Sequence, residues 1–284
     1  MPAPAADART EDRPSVFGLR GVTVRFGGVT ALHDVDLDVR PGQVHGVIGP
    51  NGAGKTTLFN VACGFVRPDE GRVELGGSGT GTRTATDRVR PRDLTRRGVA
   101  RTLQGLGLFE RMTVRENVVV GADHTGRAGF FSALLGLPGH AREEARLAAR
   151  ADELLDELGI AEHADTVSGS LPYPVRKRTA LARALVSDPT LLLLDEPASG
   201  LSEAEMDDLG DLVLALRDRV AVLLVEHHMD LVMRVCDTIT VLDFGRVIAT
   251  GPPDHVRDDP AVAAAYLGTV VETADEGGDR GAAG

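Results

Sequence analysis

Residues 49–56 read Gly-Pro-Asn-Gly-Ala-Gly-Lys-Thr, and the five residues before them, Val44-His-Gly-Val-Ile48, form a strand-like run. Together they are a complete GxxxxGK[ST] phosphate loop in its informative context: strand, glycine-rich turn, then a helix expected from about Lys55 to Cys63. That arrangement aims several backbone N–H groups and the positive end of a helix at one spot. Gly49, Gly52 and Gly54 let the backbone approach phosphate closely, with Pro50, Asn51 and Ala53 between them. Lys55 can reach the β and γ oxygens, and the Thr56 hydroxyl, beside Thr57, can ligate Mg²⁺. These residues imply binding of a nucleoside triphosphate.

At 284 residues the chain holds one large α/β domain or a core with a small satellite. Hydrophobic residues make up 42%, enough for a substantial core. A formal charge of −11 argues against a nucleic-acid surface. The cations are almost all arginine, and Lys55 is one of only two lysines. Cys63 and Cys236 lie far apart without metal-ligand spacing and read as reduced core residues; a disulfide is the alternative. The N-terminal residues lack the basic and apolar regions of a signal peptide. Runs such as Leu191–Leu194 and Val220–Val225 are too short to span a bilayer, so a membrane role would come through partners.

Composition marks 1–15 and the acidic, Gly-rich 269–284 as tails around one domain, 16–268. Early strands are expected at Val16–Phe26 and Val35–Val39; in the second, Val35, Leu37 and Val39 alternate with Asp34, Asp36, Asp38 and Arg40. Residues 76–98 read as a loop whose arginines either touch phosphates or face solvent. Thr113 and Glu116 form a capping box. Residues 141–158 are helical, with Leu147, Ala151, Leu154, Leu155 and Leu158 on one stripe and Gly159 ending it. A helical block therefore interrupts the strands between about 107 and 187. Strand 191–195, helix 203–218, strand 220–226, helix 229–235 and strand 238–242 then alternate, which implies a mainly parallel sheet wrapped by helices.

Leu191-Leu-Leu-Leu-Asp195-Glu196 is an apolar strand ending in two carboxylates. In a phosphate-loop protein this reads as the Walker B strand, with Asp195 on Mg²⁺ and Glu196 placed to orient or deprotonate an attacking water.

From these residues the chain resembles the ATP-binding subunits of ABC transporters over nearly all of 16–268. The resemblance implies a phosphate-loop core with a mainly parallel sheet, an antiparallel β portion and a helical subdomain. Gln104, after Val99-Ala-Arg-Thr-Leu, matches the glutamine that in the family contacts Mg²⁺ and the catalytic water. His227, in Leu224-Val-Glu-His, matches the histidine that contacts the γ-phosphate. Phe26, ahead of Gly27-Gly28, matches the aromatic that stacks on adenine.

A narrower resemblance points to branched-chain amino-acid importers. It rests on the segment from Arg101 to Asn117, on Val225-Glu-His-His-Met-Asp-Leu-Val-Met233, and on Asp259-Pro-Ala-Val-Ala-Ala-Ala-Tyr-Leu-Gly268. In the last, Asp259 can cap a final helix with Pro260 at its first position. An apolar stretch from Gly129 to Pro138 also recurs in that group, where it either packs under the next helix or meets a permease or lipid headgroups. The chain departs from the family at the signature, resembling Leu-Ser-Gly-Gly-Gln, where it has Leu171-Pro172-Tyr173-Pro174-Val175. The serine hydroxyl and both glycines are replaced, and the prolines remove backbone donors. Arg176, Lys177 and Arg178 are candidates to supply charge instead. Ser199-Gly-Leu-Ser202 resembles the family's D-loop without its aspartate, and Ser202 with Glu205 makes a second capping box.

The resemblance implies an ATP-hydrolysing subunit, peripheral on the inner face of the cell membrane, that energises import of branched-chain or other hydrophobic amino acids. Its implied partners are transmembrane permeases, a second ABC ATPase (a heterodimer favoured over a homodimer) and an extracytoplasmic solute-binding protein, with no nucleic acid. The alternatives are the ATPase of an exporter or envelope-lipid extraction system, or a regulatory subunit with one impaired composite site.

Overall fold

The computed structural model describes residues 14–76, 83–86, 90–102, 106–122 and 138–266. Residues 1–13 of the expected N-terminal tail, the C-terminal tail 269–284, the Gly129–Pro138 stretch apart from its last residue, and Gln104 lie outside the described residues. The Gly27-Gly28 pair reverses the chain between Phe17–Phe26 (β1) and Val29–Val39 (β2), with Phe26 opposite Val29. The second strand thus starts six residues earlier than its alternation suggested, because its first residues are exposed and carry no apolar period. Val44–Ile48 (β3) runs fully buried into the phosphate loop and the helix Lys55–Ala62 (α1). Glu70–Gly76 (β4) and Arg83–Thr86 (β5) complete an antiparallel sheet in the order β2-β1-β4-β5. β5 falls inside the region read from sequence as a loop.

Val99–Arg101 (β6) precedes a helical block: Val114–Val120 (α2), Pro138–Glu157 (α3) and Tyr173–Leu185 (α4). The Thr113–Glu116 capping box is present, and Leu147, Ala151, Leu154, Leu155 and Leu158 are all buried. Gly159 ends the stripe in the left-handed region, at φ +66°. Leu191–Asp195 (β7), Glu203–Leu216 (α5), Ala221–Val225 (β8), Met229–Val235 (α6), Thr238–Asp243 (β9) and Arg246–Gly251 (β10) follow. Pro253–Arg257 (α7) and a last helix over 260–266 close the described chain. Asp259 Oδ1 accepts from Ala261 N at 2.8 Å, so it caps that helix as expected.

The second sheet has the order β10-β9-β3-β8-β7-β6, parallel except for β10. Its central strands are buried on both faces, which explains their unbroken aliphatic runs. Leu192, Leu194, Val222 and Leu224 face a core shared with α2 to α7. Leu191, Leu193, Ala221, Leu223 and Val225 face a second core under α1 and the antiparallel sheet. Each fully buried leucine contributes about 1.5–3 kcal/mol, so the sheet is a rigid wall between two cores. Cys63 and Cys236 are buried free thiols in those cores.

Candidate functional site

Strand register decides where the site lies. Val47 pairs with Val225, and Asp195 pairs with Val225 from the other side. The carboxyl ends of β3, β7 and β8 therefore leave the sheet at one level, where ligands bind in open α/β sheets. The first carries the phosphate loop, the second Asp195 and Glu196, the third Glu226 and His227.

The loop conformation needs its glycines. Gly49 has φ +153°, and a Cβ there would sit 2.1 Å from Leu242 O; Gly54 has φ +103°, and a Cβ would sit 2.6 Å from Ala31 O. Gly54 opens α1 without any side-chain cap, so the first N–H groups of the helix are left for a ligand. Lys55 Nζ donates to Gly49 O at 2.6 Å and Pro50 O at 2.8 Å. Burial lowers the Lys55 pKa while Glu196 opposes that shift, so the ammonium is held at the loop facing the carboxylates. Asn51, Gly52 and Thr56 are exposed, Gly54 and Thr57 half-buried, Pro50 and Ala53 buried. The hairpin carrying Phe26 comes beside this loop through Ala31, and Phe26 itself is 53% exposed at the strand end, an open apolar ring.

Burial, then the neighbouring carboxylates Glu196 and Glu226, push Asp195 up to about 6. Such crowded negative charge fits a divalent cation, and it lies at the same end of the sheet as the loop that carries Thr56. Glu196 adopts φ +46°, a left-handed conformation uncommon for a residue with a Cβ. His227 is half exposed, its Nδ1 3.9 Å from Glu196 Oε1 and 3.4 Å from Glu226 Oε2. Thr102 N donates to Leu193 O at 3.0 Å, so the chain runs along β7 toward Asp195 as far as it is described before Gln104.

Glu226 was not among the residues singled out from sequence. It is fully buried, and Oε2 accepts from His227 N, His228 N and His228 Nδ1 at 2.6, 3.1 and 2.9 Å. Burial raises its pKa, but these bonds and one from Ala198 N outweigh that and hold it ionised, below the usual carboxylate range. Its only sequence signal is a carboxylate closing an apolar strand. Tyr266 was missed too: its half-buried hydroxyl meets the backbone of Gly49, tying the last helix to the phosphate loop.

At the signature, Pro172 is the N-cap of α4 and Pro174 lies in its first turn. The three cations that follow have partners within this chain. Arg176 pairs with Glu110 at 3.1 Å, Lys177 Nζ donates to Pro197 O and Ser199 O, and Arg178 meets Leu158 O and Asp208. Arg176 Nε is buried without a hydrogen-bond partner among the described residues, so the cluster keeps a donor beyond these bonds. Ser202 and Glu205 form a complete capping box on α5.

Comparison with known proteins gives a consistent picture. Residues 32–199 match the family described as ABC transporter, and residues 246–272 match the one described as branched-chain amino acid ATP-binding cassette transporter. The high-affinity branched-chain amino acid transport ATP-binding protein LivG of Escherichia coli K12 is 38% identical over 255 residues, 89% of this chain and 98% of the relative. BraF of Pseudomonas aeruginosa, with the same description, is 39% identical over the same shares. A crystal structure of an ATP-binding cassette of an ABC transporter in its ADP conformation superposes with a TM-score of 0.75 at 30% identity, covering 89% of this chain and 99% of the other. The chain therefore belongs to the ABC transporter family, as one of its ATP-binding, ATP-hydrolysing cassettes.

Proposed function

We propose that this chain energises import of branched-chain or closely similar hydrophobic amino acids by hydrolysing ATP at the shared end of β3, β7 and β8. The observation that carries the reading is the convergence there of Lys55, Asp195, Glu196 and His227. Lys55 and the amides of 49–57 bind the phosphates, and Phe26 stacks on adenine. Glu196 orients the attacking water, and His227 contacts the γ-phosphate, a division of labour in which positioning and electrostatics supply most of the acceleration. Thr56 and Asp195, with Gln104 by resemblance, are the side chains that would hold Mg²⁺, which supplies charge neutralisation at the β and γ oxygens.

The cargo assignment is supported by the branched-chain description of the segment matched at 246–272 and by the LivG and BraF relatives. The export alternative finds no support among them. Partners on this reading are transmembrane permeases, a solute-binding protein outside the membrane and a second ATPase that completes a head-to-tail pair on the inner membrane face. No helix among the described residues is long and apolar enough to cross a membrane. The prolines at Pro172 and Pro174 favour a paralogous second ATPase over a second copy of this chain.

The test is the complex purified from native membrane and reconstituted with its binding protein. Glu196→Gln preserves ATP binding and slows hydrolysis by at least about 10²-fold, and uptake of labelled leucine falls with it. Wild-type turnover in Glu196→Gln removes the catalytic assignment; intact leucine uptake without this chain redirects the cargo.

A further inference from the structure

The turn that follows Glu196 is gripped at three consecutive residues. Lys177 Nζ donates to Pro197 O and to Ser199 O, both at 2.5 Å. Between them, Ala198 N donates to Glu226 Oε1 at 2.9 Å. A cation from α4 and a carboxylate from the end of β8 thus hold alternate polar groups of one turn from two sides. The turn itself adds Ser199 N to Glu196 O at 3.1 Å and Leu201 N to Ala198 O at 3.1 Å. The Lys177 ammonium also lies 5.0 Å from the centre of the Tyr173 ring at the start of α4.

We propose that Lys177 and Glu226 are positioning residues that fix the Glu196 carboxylate and link it to the first turn of α4. The inference rests on the role proposed above for Glu196. Two observations favour positioning over plain stability. Glu196 sits at φ +46°, a conformation that persists only when its surroundings over-determine it. Holding a surface turn does not require two partly desolvated charges, since ions taken out of water carry a penalty that apolar packing avoids. The other oxygen of Glu226 accepts from His227 N. One carboxylate therefore sets the backbone before His227 and the turn after Glu196 together, while Lys177 makes both answer to movements of α4. A partner nucleotide that pulls on the α4 terminus displaces the same turn that aims the water-orienting carboxylate.

The experiment uses the assembled complex with the second ATPase silenced by its own Glu→Gln change, so that turnover reports this site. Lys177→Met and Glu226→Gln each lower kcat by about tenfold or more and leave KM for Mg-ATP within about twofold, with nucleotide-binding stoichiometry unchanged. The double variant is no slower than the slower single one, because both act on one turn. Unchanged kcat in Lys177→Met, or losses that multiply in the double variant, overturn the proposal. So does a loss of kcat matched by a rise in KM. If Lys177→Met does not accumulate, Glu226→Gln, which keeps the shape but sets an NH2 against the N–H of Ala198 or those of His227 and His228, decides by the same split. Glu196→Gln is measured alongside. Full turnover there removes the role of Glu196 itself, whereas lost turnover there with wild-type rates in both other variants removes only the link.

Discussion

Two helices of this chain begin with opposite chemistry. α1 opens behind Gly54 with no side-chain cap, and every residue from Gly49 to Lys55 except Pro50 brings an N–H. α4 opens behind Pro172 with Pro174 in its first turn, and neither proline has an N–H to offer. Both termini carry the same partial positive charge from aligned peptides. Only the first follows a glycine-rich turn whose N–H groups, apart from Ala53 N bonded to Pro50 O, add to those of the helix, so an anion site is made by the turn before a helix and not by the helix. In a head-to-tail pair these two termini face different nucleotides, and the contrast predicts unequal composite sites.

The strongest way to break this contrast is to remove the charge from the donor-rich end. Lys55 Nζ donates to Gly49 O and Pro50 O. Phosphate gives it charge-assisted bonds instead, each worth about 1.5–3 kcal/mol. Lys55→Ala lowers ATP affinity by at least about 10²-fold in direct binding titrations. Equal affinity in variant and wild type sinks the nucleotide site.

The footing of the two ends also differs, and acid separates them. β3, beneath the phosphate loop, carries His45, fully buried, with Nδ1 donating to Asp38 O at 2.8 Å and Nε2 accepting from Thr240 Oγ1 at 2.8 Å. Burial lowers its pKa from 6.5 to about 4. The unfolded chain therefore takes up the proton first as pH falls. This contribution is whole above pH 6.5 and is lost progressively down to about pH 4, by about 3 kcal/mol in all. α4 rests on aliphatic Leu181 and Leu185, without a buried histidine in that footing. Urea unfolding as a function of pH shows the slope, and His45→Gln flattens it. An identical slope in both proteins assigns it to other groups.

The donor-rich end was fully legible in the sequence, because phosphate chemistry demands glycines and a lysine at fixed spacing. β7 and its two carboxylates were legible for a related reason: four leucines in a row are affordable only in a strand covered on both faces. β10 was not legible. It is an edge strand of mixed burial, and its turn places Phe244 at φ +40° before Gly245 at φ +76°, a conformation that phenylalanine does not advertise. β5 escaped because it lies in a Gly-, Thr- and Arg-rich run without alternation. Glu226 escaped because nothing in a one-dimensional pattern distinguishes a solvated strand-end carboxylate from one buried under three amides. The commitment of Lys177 was hidden likewise, since a basic cluster at a helix start looks like charge offered to a ligand.

The donor-poor end can be sharpened by repair. Pro172→Ser with Pro174→Gly returns a hydroxyl and two backbone N–H groups to the start of α4. Each well-placed donor to developing charge is worth about 2.7–4 kcal/mol, and Tyr173, still in place, holds the gain below that. In a Glu196→Gln background, where remaining turnover comes from the second ATPase, the repaired signature raises hydrolysis by roughly tenfold. No change means that the second site does not depend on this terminus for donors.

The smallest expected effect comes from a third helix terminus that serves as a control for the other two. α2 starts at Val114 behind Thr113, whose Oγ1 accepts from Glu116 N at 3.2 Å, while Glu116 Oε2 accepts from Thr113 N at 2.8 Å. These donors are already used by the chain's own side chains, so the terminus has nothing left for a phosphate, and its polar groups serve stability alone. Thr113→Ala therefore costs about 1 kcal/mol of folding stability and leaves kcat and the KM for Mg-ATP of the complex unchanged. Denaturant titration and steady-state hydrolysis on the same preparation measure the two quantities side by side. A fall in kcat with stability intact would mean that α2 takes part in the cycle, and that a capped terminus is no guide to a silent one.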